Sequence, residues 1–79
     1  MFNPAEHIEF KEVTCVEFIQ QFPVAEWKYL DAIDASQLTR AEAESWAKSL
    51  GATILVLRRA KYVQGYAALR PRLPEDGND

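Results

Sequence analysis

Hydrophobic and polar positions along the chain repeat with two different periods. Four segments alternate with a period of two or are continuously apolar and branched, which is typical of strands. The predicted strands are 7–13, 24–33, 53–57 and 62–69. In the second of them Trp27 and Tyr29 share one side. The third is the most apolar, as the central strand of a sheet is.

Two segments between these strands have the pattern of helices. Each opens with a threonine followed three residues later by a glutamate, the spacing of a capping box, in which each side chain accepts an amide hydrogen bond from the other residue. The pairs are Thr14 with Glu17 and Thr39 with Glu42. We expect the first helix to end at about Gln21, and the second to cover 40–50 and to end before Gly51.

The element order β-α-β-α-β-β predicts one small α+β domain. Right-handed crossovers and a terminal hairpin then favour a four-stranded mixed sheet with both helices on one face. The other face, or an edge of the sheet, must meet water, a second copy of the chain or a target. The turn of the hairpin is predicted either around 59–61 or at Gln64 and Gly65, and its register stays open.

The length of 79 residues allows a single domain with a thin core. We expect the core to cover about 7–71. Residues 1–6 are expected to be flexible because they contain Pro4 and little apolar content, and 72–79 because proline, glycine and acidic residues dominate there. A domain of this size without a disulfide often completes itself against a partner, either as a homodimer or on a target.

The formal net charge of −3 hides a division along the chain. Residues 1–44 hold nine acidic and three basic side chains, whereas residues 45–74 hold six basic side chains and no acidic one. The two parts either neutralise each other within the folded domain or present charge to a partner.

Catalytic chemistry has little support in the sequence. One cysteine and one histidine exclude an internal disulfide and a zinc site built from Cys and His alone, and the three glycines form no phosphate-binding loop. Cys15 at a helix start, with His7 as its imidazole partner, lacks a third orienting group, so we expect Cys15 to be a small, partly buried apolar residue. We therefore predict a cytoplasmic protein that is not an enzyme, uses no cofactor or metal and does not enter a membrane.

Direct nucleic-acid binding is the alternative function. Four cations, Arg58, Arg59, Lys61 and Arg70, are interleaved with tyrosines in the predicted hairpin. The stretch 65–69 in it resembles the core of the RNA-recognition-motif signature, but Gln64, Ala68 and Pro71 depart from that signature, so its fold and binding residues are not carried over. The sequence pI of about 5.1 also differs from the basic pI of dedicated nucleic-acid binders.

Protein binding is the function that the sequence favours. Aromatic side chains on strands, with acids beside them, are the residue types that dominate interfaces. The candidate residues are Trp27, Tyr29, Tyr62 and Tyr66 with Glu26 and Asp31, and whether the aromatic ones are core or interface stays open. In its sharpest form the prediction is a small acidic inhibitor or accessory protein that occupies a surface of a nucleic-acid-handling complex. Phage-encoded inhibitors, anti-CRISPR proteins included, are similar to it in composition.

Overall fold

The computed structural model of the protein describes residues 8–76 and has a four-stranded mixed sheet with two helices. The elements are β1 (Glu9–Thr14), α1 (Cys15–Gln21), β2 (Trp27–Asp34), α2 (Arg40–Ser49), β3 (Ile54–Arg59) and β4 (Gln64–Pro71). Short 3₁₀ turns occupy Ala35–Gln37 and Pro74–Asp76. The predicted α+β class, the mixed sheet and the order of elements are confirmed. Within residues 8–76 no helix is long and apolar enough to cross a bilayer.

Both helices begin at the capping boxes that the sequence predicts. The Thr14 hydroxyl accepts the Glu17 amide at 3.1 Å, and the Glu17 carboxylate accepts the Thr14 amide at 2.9 Å. Thr39 and Glu42 repeat this pair of bonds at 3.2 and 2.8 Å. Gly51 follows α2 with φ of 84°, a left-handed conformation that glycine adopts without strain.

The strand order is β1-β3-β4-β2, with β1 parallel to β3 and β4 antiparallel to both of its neighbours. The chain therefore crosses the whole sheet from β1 to β2 and then returns to β3. Two crossovers of the same hand that run in opposite directions place their helices on opposite faces.

Side-chain packing shows this arrangement directly, and the prediction of both helices on one face is wrong. The core on the α1 face contains Val13, Phe18, Phe22, Ile54, Val56, Ala67 and Leu69. The core on the α2 face contains Ala43, Ala47, Leu55, Tyr66 and Ala68. Successive residues of β3 and β4 thus enter different cores, as the pleat of a strand requires.

The structure settles one connection that the sequence left open and shortens one predicted strand. Residues 60–63 join β3 to β4, with the Ala60 amide donating to the Val63 carbonyl at 3.0 Å, so the earlier of the two predicted turns is the one observed. Strand β2 begins at Trp27 because the amides of Glu26 and Trp27 both donate to the Pro23 carbonyl, which makes a turn of the preceding residues.

Hydrogen bonds also connect the residue after β4 with the segment before β2. The Arg72 amide donates to the Glu26 carbonyl at 2.9 Å, and its guanidinium donates to the Val24 carbonyl. These bonds tie the segment after β4 to the segment before β2. Of the predicted flexible ends, 1–6 and 72–79, residues 1–6 and 77–79 lie outside the described residues.

Loss of the α2 cap is expected to destabilise the domain by about 1 kcal/mol, because Thr39→Ala leaves a first-turn amide without its acceptor. Urea unfolding of the variant measures this change. Thr53→Ala is the matched control, since Thr53 is exposed and lies outside the helices. Equal midpoints for the two variants would contradict the capping role.

Candidate binding groove

The α1 face of the sheet is incompletely covered. A single helix is about 10 Å wide with its side chains, whereas four strands extend about 14 Å from the first axis to the last. Helix α1 packs on β1 and β3 and leaves the region towards β2 open. This region is a groove of about 480 Å³, which we call the α1–β2 groove. It is lined by Cys15, Phe18, Ile19, Pro23, Val24, Tyr29 and Arg58.

The walls of the α1–β2 groove are apolar and face solvent. Ile19 on α1 is 70% exposed and Val24 in the following turn is 62% exposed. Exposed apolar side chains are common singly, but a cluster around a concavity marks a binding surface. The groove therefore has the character of a site for an apolar side chain of a ligand or partner.

Aromatic rings form the base of the groove. The ring of buried Phe18 lies 5.6 Å from that of Phe22 and 5.3 Å from that of Tyr29, measured between centroids. The Tyr29 hydroxyl donates a hydrogen bond to the Phe22 carbonyl, which holds the ring against α1. Burial raises the pKa of Tyr29 above 10.0, and the nearby charge of Arg58 partly offsets that shift.

Arg58 reaches the groove from β3 and is its cation. The guanidinium carbon lies 5.2 Å from the centroid of the Phe18 ring, within the range of a cation–π contact. Gly65 faces Arg58 across the ladder, and a Cβ at that position would lie 3.3 Å from Arg58 Nη2. The missing side chain of Gly65 thus leaves room for the guanidinium.

The guanidinium of Arg58 has no anionic partner among residues 8–76, and its Nε is buried without an acceptor. The adjacent Arg59 points to the opposite face of the sheet, where it pairs with Glu12 at 2.8 Å. Arg40 pairs with Glu44 at 3.1 Å. Arg58 is therefore a half-buried charge whose Nε is enclosed, so its Nη groups are the donors that a ligand can reach.

The aromatic candidates from the sequence separate into core and surface residues. Tyr66 is 6% exposed in the α2-face core, and Trp27 is half-buried with its ring 5.1 Å from that of Phe22. Tyr29 lines the groove and is partly exposed, whereas Tyr62 is exposed in the connection between β3 and β4. Of the predicted aromatic residues, Tyr29 is therefore the one in the groove.

The two acidic candidates, Glu26 and Asp31, are exposed near the start and the middle of β2. Asp31 follows a bulge in β2, and its carboxylate accepts the Ala32 amide at 2.8 Å. This bond occupies a backbone donor of an edge strand, so β2 is a poor template for an added strand at this point.

The structure does not bring the four nucleic-acid candidates onto one surface. Arg58 and Arg59 point to opposite faces, and Lys61 lies in the β3–β4 connection. Arg70 lies near the far end of β4, about 20 Å along the strand from the residue that pairs with Arg59.

Cys15 is exposed at the groove, so the expectation that it is partly buried is wrong. Its position as the first residue of α1, before the buried turn that contains Phe18, explains the exposure. The proposed partner of Cys15, His7, lies outside the described residues. Within residues 8–76 no three His, Cys, Asp or Glu side chains are close enough together to hold a metal ion.

Three features of the groove were not predicted from the sequence: Ile19, Val24 and the position of Arg58. The signal for Ile19 was available, because an apolar residue one position after Phe18 lies away from the buried stripe of α1. The position of Arg58 depends on which strands are neighbours and could not be read from spacing.

Comparisons with protein-family models, with curated proteins and with solved structures each found no match. The physical character of the α1–β2 groove is thus the basis for assigning a function.

Gly65→Ala is expected to move the Arg58 guanidinium while the domain stays folded, because the new methyl group meets the mobile end of that side chain. The Arg58 Nε–H signal in a ¹H–¹⁵N NMR spectrum reports the movement. Gly51→Ala is the control: it meets open space, but its φ of 84° costs about 1 kcal/mol in urea unfolding. An unshifted Arg58 signal in Gly65→Ala would contradict the contact.

The phenol of Tyr29 is expected to titrate above pH 10.0, since burial disfavours the phenolate. The difference in phenolate absorbance between the wild type and Tyr29→Phe isolates this group. A folded pKa above the unfolded value means that the stability contributed by Tyr29 is present in full below pH 10 and is lost as pH rises through the folded pKa. A difference curve centred below 10 would contradict the partial burial of the Tyr29 hydroxyl.

Proposed function

We propose that the protein is a non-enzymatic protein-binding module and that the α1–β2 groove is its binding surface. The observation that supports this proposal is the exposure of Ile19 and Val24 around a groove whose other walls are also mostly apolar. Removing exposed apolar area from water contributes about 25 cal/mol per Å² to the free energy of binding, so an apolar side chain of a partner is stabilised in the groove.

Protein binding agrees better with the described surface than nucleic-acid binding does. A phosphate backbone is tracked by several cations along one surface. Here Arg58 is surrounded by apolar walls, Arg59 points to the opposite face and Arg70 lies far along β4. One cation in an apolar groove is instead typical of a site for a single polar group flanked by apolar contacts.

The sharper form of the proposal is an inhibitor or accessory protein of a nucleic-acid-handling complex. The exposed carboxylates of Glu26 and Asp31 are available to the basic surface that such a complex presents. In this form the groove contributes most of the affinity for the partner, and the carboxylates raise the association rate and the specificity.

The proposal is tested by capture from an extract of cells that contain the protein, after nuclease treatment, followed by calorimetry with the purified captured partner. Val24→Ser is expected to weaken binding about tenfold, because it removes an apolar contact worth roughly 1.5 kcal/mol. Val63→Ser is a close control, since Val63 is 60% exposed against 62% for Val24 but lies in the β3–β4 connection.

Equal loss of binding in the two valine variants, or no loss in either, would contradict the groove as the binding surface. Micromolar binding to short DNA or RNA that falls steeply with salt, and is abolished in the double variant Arg58→Ala, Arg59→Ala, would favour the nucleic-acid alternative.

A further inference from the structure

We infer that the α1–β2 groove takes a peptide segment of the partner in which a carboxylate lies next to a large apolar side chain, with Arg58 binding the carboxylate. This inference rests on the proposed function and names the chemistry of the partner. It commits to a peptide rather than a nucleic acid or a lipid.

The charge of the groove selects a carboxylate. Arg58 is the cation among its lining residues, none of which is acidic. The half-buried guanidinium has no carboxylate partner in residues 8–76, and Phe18 shields one side of it from water. An ion pair in such surroundings is stronger than one in open solvent, because fewer water molecules compete for the two charges.

The walls select an apolar neighbour for that carboxylate. The cation is surrounded by the apolar side chains of Ile19, Val24 and Phe18. The desolvation free energy of an isolated anion against such walls exceeds the attraction of one cation. A peptide side chain of the leucine or phenylalanine type, next to an aspartate, a glutamate or the chain terminus, meets both requirements.

A phosphate is the poorer match for the same site. A phosphodiester chain brings further charges that would lie on the apolar walls, and Arg59 is directed away from them by the pleat of β3. A planar carboxylate matches the guanidinium fork with one charge and two oxygens.

The test begins with selection from a displayed library of random nonapeptides on the wild-type protein. We expect the selected peptides to carry an aspartate or glutamate beside a leucine, isoleucine or phenylalanine. The best of them, made synthetically, is then titrated into ¹⁵N-labelled protein and is expected to shift the Arg58 Nε–H signal and the amide signals of α1. Its counterpart, with the acid replaced by the corresponding amide, is expected to bind about tenfold more weakly.

Matched protein variants assign the effect to Arg58. Arg58→Gln is expected to lower the affinity for the acidic peptide about tenfold and to remove the difference between the acidic and amide peptides. Arg59→Gln makes the same change of charge on the other face and is expected to change the affinity less than about twofold. If Arg58→Gln does not fold, Arg58→Lys replaces it, with severalfold weaker binding expected because an ammonium lacks the planar fork.

The outcomes separate this inference from the proposed function. The inference would be overturned if the selected peptides were apolar and without acids, shifted the groove signals and bound the Val24→Ser protein more weakly. The groove would then remain a protein-binding surface. Peptides whose binding is unchanged in Val24→Ser would overturn the proposed function. Octanoate binding as tightly as the selected peptide would overturn the choice of a peptide.

Discussion

The β3–β4 strand pair is buried on both faces, and the rest of the structure depends on this constraint. Ile54 and Val56 enter one core while Leu55 between them enters the other, so successive residues of the strand stabilise two different layers. Such a pair needs a helix on each side, and a chain of 79 residues supplies two short ones. The crossing to β2 and the return to β3 deliver one helix to each face.

The two helices are unequal, and the candidate site follows from that inequality. Helix α2 has ten residues and approaches the sheet closely through Ala43 and Ala47, helped by apolar residues of the segment before it. Helix α1 has seven residues and packs on its face through Phe18, with Phe22 directly after its last residue. The same alternation that buries Val56 directs Arg58 to the α1 face, beyond the cover that α1 provides. The α1–β2 groove is thus the part of the α1-face core that the helix does not cover.

Features that depend on near neighbours in the chain were predictable, and those that depend on strand order were not. The capping boxes at Thr14 and Thr39 and the shared side of Trp27 and Tyr29 are local, and the structure has them. The faces of the helices depend on the order β1-β3-β4-β2, which spacing does not encode. Tyr66 and Tyr62 show the limit well. Both are aromatic residues of the predicted hairpin, yet pairing buries the first and leaves the second in a turn.

The edge strands of the sheet restrict how molecules of this protein associate. Strand β1 carries Glu9, Lys11 and Glu12 along its length, and β2 is interrupted by a bulge whose Ala32 amide is already taken by Asp31. Both features oppose the addition of strands from another molecule. Growth of a fibre needs an unpaired strand edge or a heterologous contact that repeats without closing, and the two edge strands oppose the first of these routes. The domain thus combines an apolar opening on one face of its sheet with strand edges that oppose polymerisation.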